Sequence, residues 1–68
     1  MTELIFEVRE SAEGGFEARA LGSAIFTEGD NLEEIRANVQ DAVRCHFDPG
    51  TAPRSIRLIF IREEVLAA

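Results

Sequence analysis

The sequence predicts an α+β domain in the order β-β-β-α-β, with one helix lying on one face of a four-stranded mixed sheet. Three features carry that reading. Two segments near the N-terminus alternate apolar and polar residues, one central stretch repeats apolar residues at helical spacing, and one aliphatic run follows a break marked by Pro and Gly. The 68 residues have room for one core, so the chain reads as one domain spanning 1–68.

Residues 4–10 place Leu4, Phe6 and Val8 on one side and Ile5, Glu7 and Arg9 on the other, the pattern of a strand with one buried face. In Ser11-Ala12-Glu13-Gly14-Gly15, the paired glycines supply the positive-φ positions of a hairpin. Residues 16–21 alternate again, with Phe16, Ala18 and Ala20 opposite Glu17, Arg19 and Leu21. Gly22-Ser23 marks a second turn, and residues 24–27 form a short third strand, which completes a meander. Asp30 is the expected helix N-cap, with Glu33 three residues later completing a capping box. Leu32, Ile35, Val39, Ala42, Val43 and His46 form the inward stripe. Asp48-Pro49-Gly50 and Pro53 end the helix near Phe47. Residues 56–62 give the last strand, parallel to the first through a right-handed crossover. Residues 63–68 read as a frayed or short helical tail.

Composition narrows the function. The net charge is −6, and the seven basic residues are all arginine. An acidic surface disfavours direct nucleic-acid binding and favours a basic partner. One cysteine and one histidine cannot make an internal disulfide or a structural zinc site, and no cofactor motif is present. No run approaches the roughly 18 apolar residues of a membrane span. With a free thiol and no export signal, the expected location is cytoplasmic. So short a chain forms a thin core, and a homo-oligomer is the expected remedy.

The sheet face away from the helix is expected to carry Ile5, Leu21, Ile59 and Ile61, with Ile25 joining them. Glu7, Arg9, Glu17, Arg19 and Arg57 share that face. It reads either as a solvated surface of cross-strand ion pairs or as a self-association surface with an aliphatic middle. Phe6, Phe16, Phe26 and Phe60 are assigned to the helix side, which leaves no aromatic platform for stacking bases.

Phe6-Glu7-Val8, Glu13-Gly14-Gly15-Phe16, Ala18 and Ala20 resemble the opening hairpin of HicB-like antitoxin domains. Thr27-Glu28-Gly29-Asp30, Leu32-Glu33-Glu34-Ile35, Asn38-Val39 and Asp41-Ala42-Val43 are similar to that family's turn and helix. The resemblance covers residues 4–47, and the ending from Cys45 through Pro53 to Leu58 looks like a stand-alone branch. It implies a partial RNase H-like fold and a non-catalytic protein-binding role, that of an antitoxin neutralising a small basic RNA-cleaving, HicA-like toxin. Family members with a complete module add a C-terminal DNA-binding segment; that segment is expected to be missing here. The alternative is a stand-alone homo-oligomeric scaffold or regulatory protein without a toxin partner.

An acidic domain can occupy the phosphate-binding surface of such a toxin. The candidate partner-binding residues are Glu10, Glu13 and Glu17 at the first hairpin, and Glu28 and Asp30, with Glu33 and Glu34, at the helix start. Acids at a helix N-terminus also stabilise any helix, by about 0.3–1 kcal/mol each. No enzyme activity is expected. Cys45 and His46 are neighbours on a helix and diverge by about 100°, and His46 reads as packed in the stripe with Cys45 a structural thiol. Carboxylates for a nuclease metal site are available on Glu7, Glu10, Glu33, Glu34, Asp41, Glu63 and Glu64. At about 100° per residue, however, the helical ones point away from the sheet.

Overall fold

The computed structural model describes residues 2–68. It contains β1 (Glu3–Glu10), β2 (Phe16–Ala20), β3 (Phe26–Gly29), α1 (Leu32–His46) and β4 (Ser55–Ile61), in the expected α+β order. The sheet order is β3-β2-β1-β4. The pairs β1/β2 and β2/β3 are antiparallel, and β4 lies parallel to β1.

The alternation read in β1 and β2 places Leu4, Phe6, Val8, Ala18 and Ala20 beneath the helix, where they pack against Ile35, Val39 and Val43. Phe6 and Ile35 have no exposed surface. The two alanines on β2 leave room for the helix to settle close to the sheet, since small residues facing large ones fill a core without voids.

The third strand starts later than its alternation suggested, and this reverses two assignments. Ile25 is buried in the core, whereas Phe26 is 58% exposed. Phe26 pairs with Arg19 across β2, and the Ala20 N–H donates to the Ile25 carbonyl at 3.0 Å. Ile25 therefore shares the inward side of Ala20, and Phe26 the outward side of Arg19. A one-residue slip exchanges the two faces of a strand, so Ile25 leaves the expected interface set and Phe26 leaves the helix side.

The helix cap also moves by one residue. Asn31, with φ −149° and ψ 175°, is the N-cap, and its Oδ1 accepts the Glu34 N–H at 2.8 Å. The Glu34 carboxylate accepts the Asp30 N–H at 3.1 Å. Asp30 and Glu33 are thus not the capping pair. The sequence holds two overlapping capping patterns, Asp30/Glu33 and Asn31/Glu34, and the chain uses the second. At the other end, the Phe47 N–H donates to the Val43 carbonyl at 3.1 Å. Pro49 then disfavours a helical Asp48.

His46 is exposed, not packed in the stripe. It comes at the last turn, where the helix has run past its contact with the sheet, and its ring meets Phe47 edge-on at 4.8 Å. Cys45 is exposed as well. The helix lies closer to β3 and β2 than to β4, of which Ile56 and Leu58 reach the core as half-buried side chains. Phe60, opposite Val8 in the parallel pair, faces the helix side as expected yet remains 49% exposed.

Residues 62–68 form neither helix nor strand, so the tail has no helical turn. The molecule measures 51 × 20 × 18 Å, more than twice the roughly 22 Å of a 15-residue helix. The segment after β4 therefore projects from the body. No helix among the described residues is long and apolar enough to cross a membrane.

Candidate functional site

Topology brings one end of every element to a common pole. The C-terminal ends of β1, β3 and β4 meet there, with the start of β2 and the N-terminus of α1. This juxtaposition regroups the acidic candidates. Glu13, Glu28 and Asp30 line one cleft of about 370 Å³, together with Glu34, Ser11 and Gly14. Glu10 and Glu17 line a second cleft of about 320 Å³ with Arg9, Ile61 and Glu63. Glu33 is exposed on the helix and lines neither cleft.

Backbone contacts fix the turn that borders the first cleft. The Ser11 N–H donates to the Gly15 carbonyl at 2.9 Å, and the Gly14 N–H to the Ser11 carbonyl at 3.1 Å. Gly15 has φ +77°, and a Cβ there would lie 2.6 Å from the Gly29 carbonyl oxygen. Only glycine meets both demands, a left-handed backbone and contact with the facing strand. Across the helix start, the Asn38 side-chain amide donates to the Glu28 carbonyl at 2.7 Å, tying α1 to β3.

Charge at this pole is poorly compensated. Glu17 and Glu28 are directly opposite on β2 and β3, an arrangement that destabilises a sheet by like-charge repulsion. Among the described residues, Arg9 is the one basic residue lining the two clefts, and it pairs with Glu63 at 3.0 Å. The Glu34 carboxylate serves the helix cap.

On the outer sheet face, Leu21 and Ile59 are 43% and 42% exposed, while Ile5 and Ile61 are half-buried. Phe26 takes the place intended for Ile25. Glu7 pairs with Arg19 at 3.8 Å, and Arg57 makes a forked pair with Glu3 at 3.0–3.1 Å. That hydrogen bond, reinforced by the Glu3 charge, raises the Arg57 pKa.

Of the nuclease candidates, Glu10 and Glu63 line the second cleft, but the helical acids do not join them. Glu7 faces outward in the sheet, opposite Ile59, and Glu33, Glu34 and Asp41 are exposed on the helix. Among the described residues no three His, Cys, Asp or Glu side chains are grouped to hold a metal.

The sequence reading missed a third cleft, of about 300 Å³, between α1 and β4, which Arg36 and Arg54 line. Arg36 lies four residues before Gln40 on the polar flank of the helix, and no local pattern links it to Arg54.

A UPF0150 protein of Thermotoga maritima is 38% identical over 65 residues, covering 96% of this chain and 91% of the relative. The chain belongs to the UPF0150 family. A second UPF0150 protein, from Archaeoglobus fulgidus, is 49% identical over 51 residues, covering 75% of the chain and 76% of the relative. No family model and no solved structure matches this UPF0150 chain.

Proposed function

We propose that this UPF0150 chain is a non-catalytic, cytoplasmic protein-binding module of the HicB-like antitoxin type, with a partial RNase H-like strand order. Its acidic pole receives a small basic partner, of the class of RNA-cleaving HicA-like toxins. The reading rests on one observation: Glu10, Glu13, Glu17, Glu28 and Asp30 gather in two adjoining clefts whose single arginine, Arg9, is already paired. A basic surface that holds RNA phosphates is complementary to such a pole, and electrostatic complementarity governs encounter rate and partner choice. The pole makes no use of nucleic acid, because its charge repels phosphate.

The test is fluorogenic RNA cleavage by a HicA-like toxin, titrated with the chain at low and at high salt. Inhibition that weakens with salt, and that is lost in Glu13→Gln/Glu28→Gln/Asp30→Asn, supports the proposal. Inhibition indifferent to those substitutions, or none at all, rejects it.

The outer sheet face favours a second reading, a homo-oligomeric scaffold. Leu21, Phe26 and Ile59 are partly exposed there beside Ile5 and Ile61, with the Glu7–Arg19 and Glu3–Arg57 pairs among them. An aliphatic middle among ion pairs is the anatomy of a protein interface. Leu21→Glu disperses an oligomer built on this face, as read by sedimentation velocity; an unchanged oligomer excludes the face.

A further inference from the structure

Among the described residues, Arg36 and Arg54 are the two of the seven arginines that make no ion pair. Both line the cleft between α1 and β4, whose apolar wall is Val39, Ile56, Leu58 and Pro53. The cleft exists because α1 lies closest to β3 and β2 and covers the helix side of β4 only in part: Ile56 and Leu58 are half-buried against the core, and Phe60 is 49% exposed. β4 is also an edge strand, apolar on both faces from Leu58 to Ile61 and without proline, its one charged residue, Arg57, being paired with Glu3. Beyond it, Glu63-Glu64-Val65-Leu66 projects from the body, with Val65 97% and Leu66 81% exposed.

We propose that β4 and the segment after it form a reciprocal interface between two copies of this chain. The two β4 edges pair antiparallel about a two-fold axis, with Ile59 opposite Ile59 of the second copy, and join two sheets into one. Each projecting segment then enters the cleft of the other copy. In this register Glu64 stands opposite Arg54 and Phe60 opposite Leu58. Glu64, which in the single chain pairs with Arg62 at 3.1 Å on the exposed segment, there meets the unpaired Arg54 as well, and the half-exposed ring is covered on the helix side. Val65 and Leu66 continue past Pro53 toward the apolar wall. Such strand addition satisfies the free N–H and C=O groups of both edges, and a two-fold axis makes every contact occur twice.

The segment does not reach its own cleft. Glu63 is held by Arg9 at 3.0 Å. The nine residue steps from Arg54 to Glu63 span about 30 Å of extended chain, and the five residues after Glu63 reach back at most about 18 Å. The interface is built on the β4 edge and the helix side; it shares Ile59 with the outer face and borders the second cleft at Ile61 and Glu63, but it uses none of Glu10, Glu13, Glu17, Glu28 and Asp30.

Sedimentation equilibrium of the full chain is expected to give a dimer. Glu64→Arg and Arg54→Glu should each weaken it several-fold, and the two together should restore it, because the charges are exchanged rather than removed. Both side chains are exposed, and Glu64 lies outside the folded elements, so Glu64→Arg tests the contact even where Arg54→Glu unfolds. In a Cys45→Ser background, Ile59→Cys should form a disulfide-linked dimer under mild oxidation, since directly opposed Cα atoms lie about 4.5–5.5 Å apart, within disulfide reach. A monomer at all concentrations, a dimer indifferent to both charge reversals, or no cross-link at position 59 overturns the proposal. A dimer dispersed by Leu21→Glu but not by Glu64→Arg assigns assembly to the outer face instead.

Discussion

Asn31 and Glu34 close the start of the helix from opposite directions. The Asn31 Oδ1 accepts the Glu34 N–H at 2.8 Å, and the Glu34 carboxylate reaches back to the Asp30 N–H at 3.1 Å. Asn31→Ala removes the cap and is expected to destabilise the chain by about 0.5–2 kcal/mol. Asp30→Ala keeps its backbone donor and should cost about 0.5 kcal/mol or less. Urea unfolding of the two variants separates them, and an equal or reversed order places the cap at Asp30.

Gly15 and Gly14 both have positive φ, at +77° and +97°, but only Gly15 approaches another strand. A Cβ at Gly14 meets nothing within 4 Å, while one at Gly15 meets the Gly29 carbonyl oxygen at 2.6 Å. Gly14→Ala is expected to cost about 1 kcal/mol from backbone strain alone. Gly15→Ala adds a clash with a neighbouring backbone and should cost about 2–4 kcal/mol. Thermal unfolding should show the larger drop for Gly15→Ala; similar drops would mean that the two strands separate easily.

The exchange of Ile25 and Phe26 has an energetic consequence. Ile25 is 6% exposed within the core cluster, so Ile25→Ala should cost about 2–5 kcal/mol through lost burial and a residual cavity. Phe26→Ser removes a larger ring that already faces water and should cost about 1 kcal/mol or less in the isolated chain. Denaturant midpoints measured at equal concentration decide the order. A larger loss at Phe26 means that this ring is covered, either by the core or by a second copy.

Cys45 lies on the solvent side of the last helical turns. It is expected to label with a thiol reagent in the native chain, with no denaturant present. Cys45→Ser should change stability by about 0.5 kcal/mol at most, as for other exposed positions. Labelling that waits for unfolding would show the thiol buried in an assembly.

The acidic pole illustrates how far residue patterns reach. Each acid could be counted and placed near a turn from the sequence, yet Glu13 and Glu28, fifteen positions apart, become neighbours only through the meander. Glu10 and Glu17 part from Glu13 for the same reason, since they line the other cleft beside Glu63 at the end of β4. Arg36 and Arg54 had no local mark at all. Their shared cleft follows from where the helix lies across the sheet, a property of packing among β2, β3 and α1.

The sequence by itself determined the kinds and order of the elements, because periods of two and of about 3.6 residues are local properties of the backbone. Alternation in β1 and β2 and the Ile35, Val39, Val43 stripe decided which side chains make the core. Tertiary structure alone decided the register of β3, the choice between two overlapping caps, and where the helix lies across the sheet. Each of those choices shifts the chain by one residue or moves one element sideways. Such shifts leave composition and periodicity nearly unchanged, so only the fit of packed side chains and paired strands distinguishes between them.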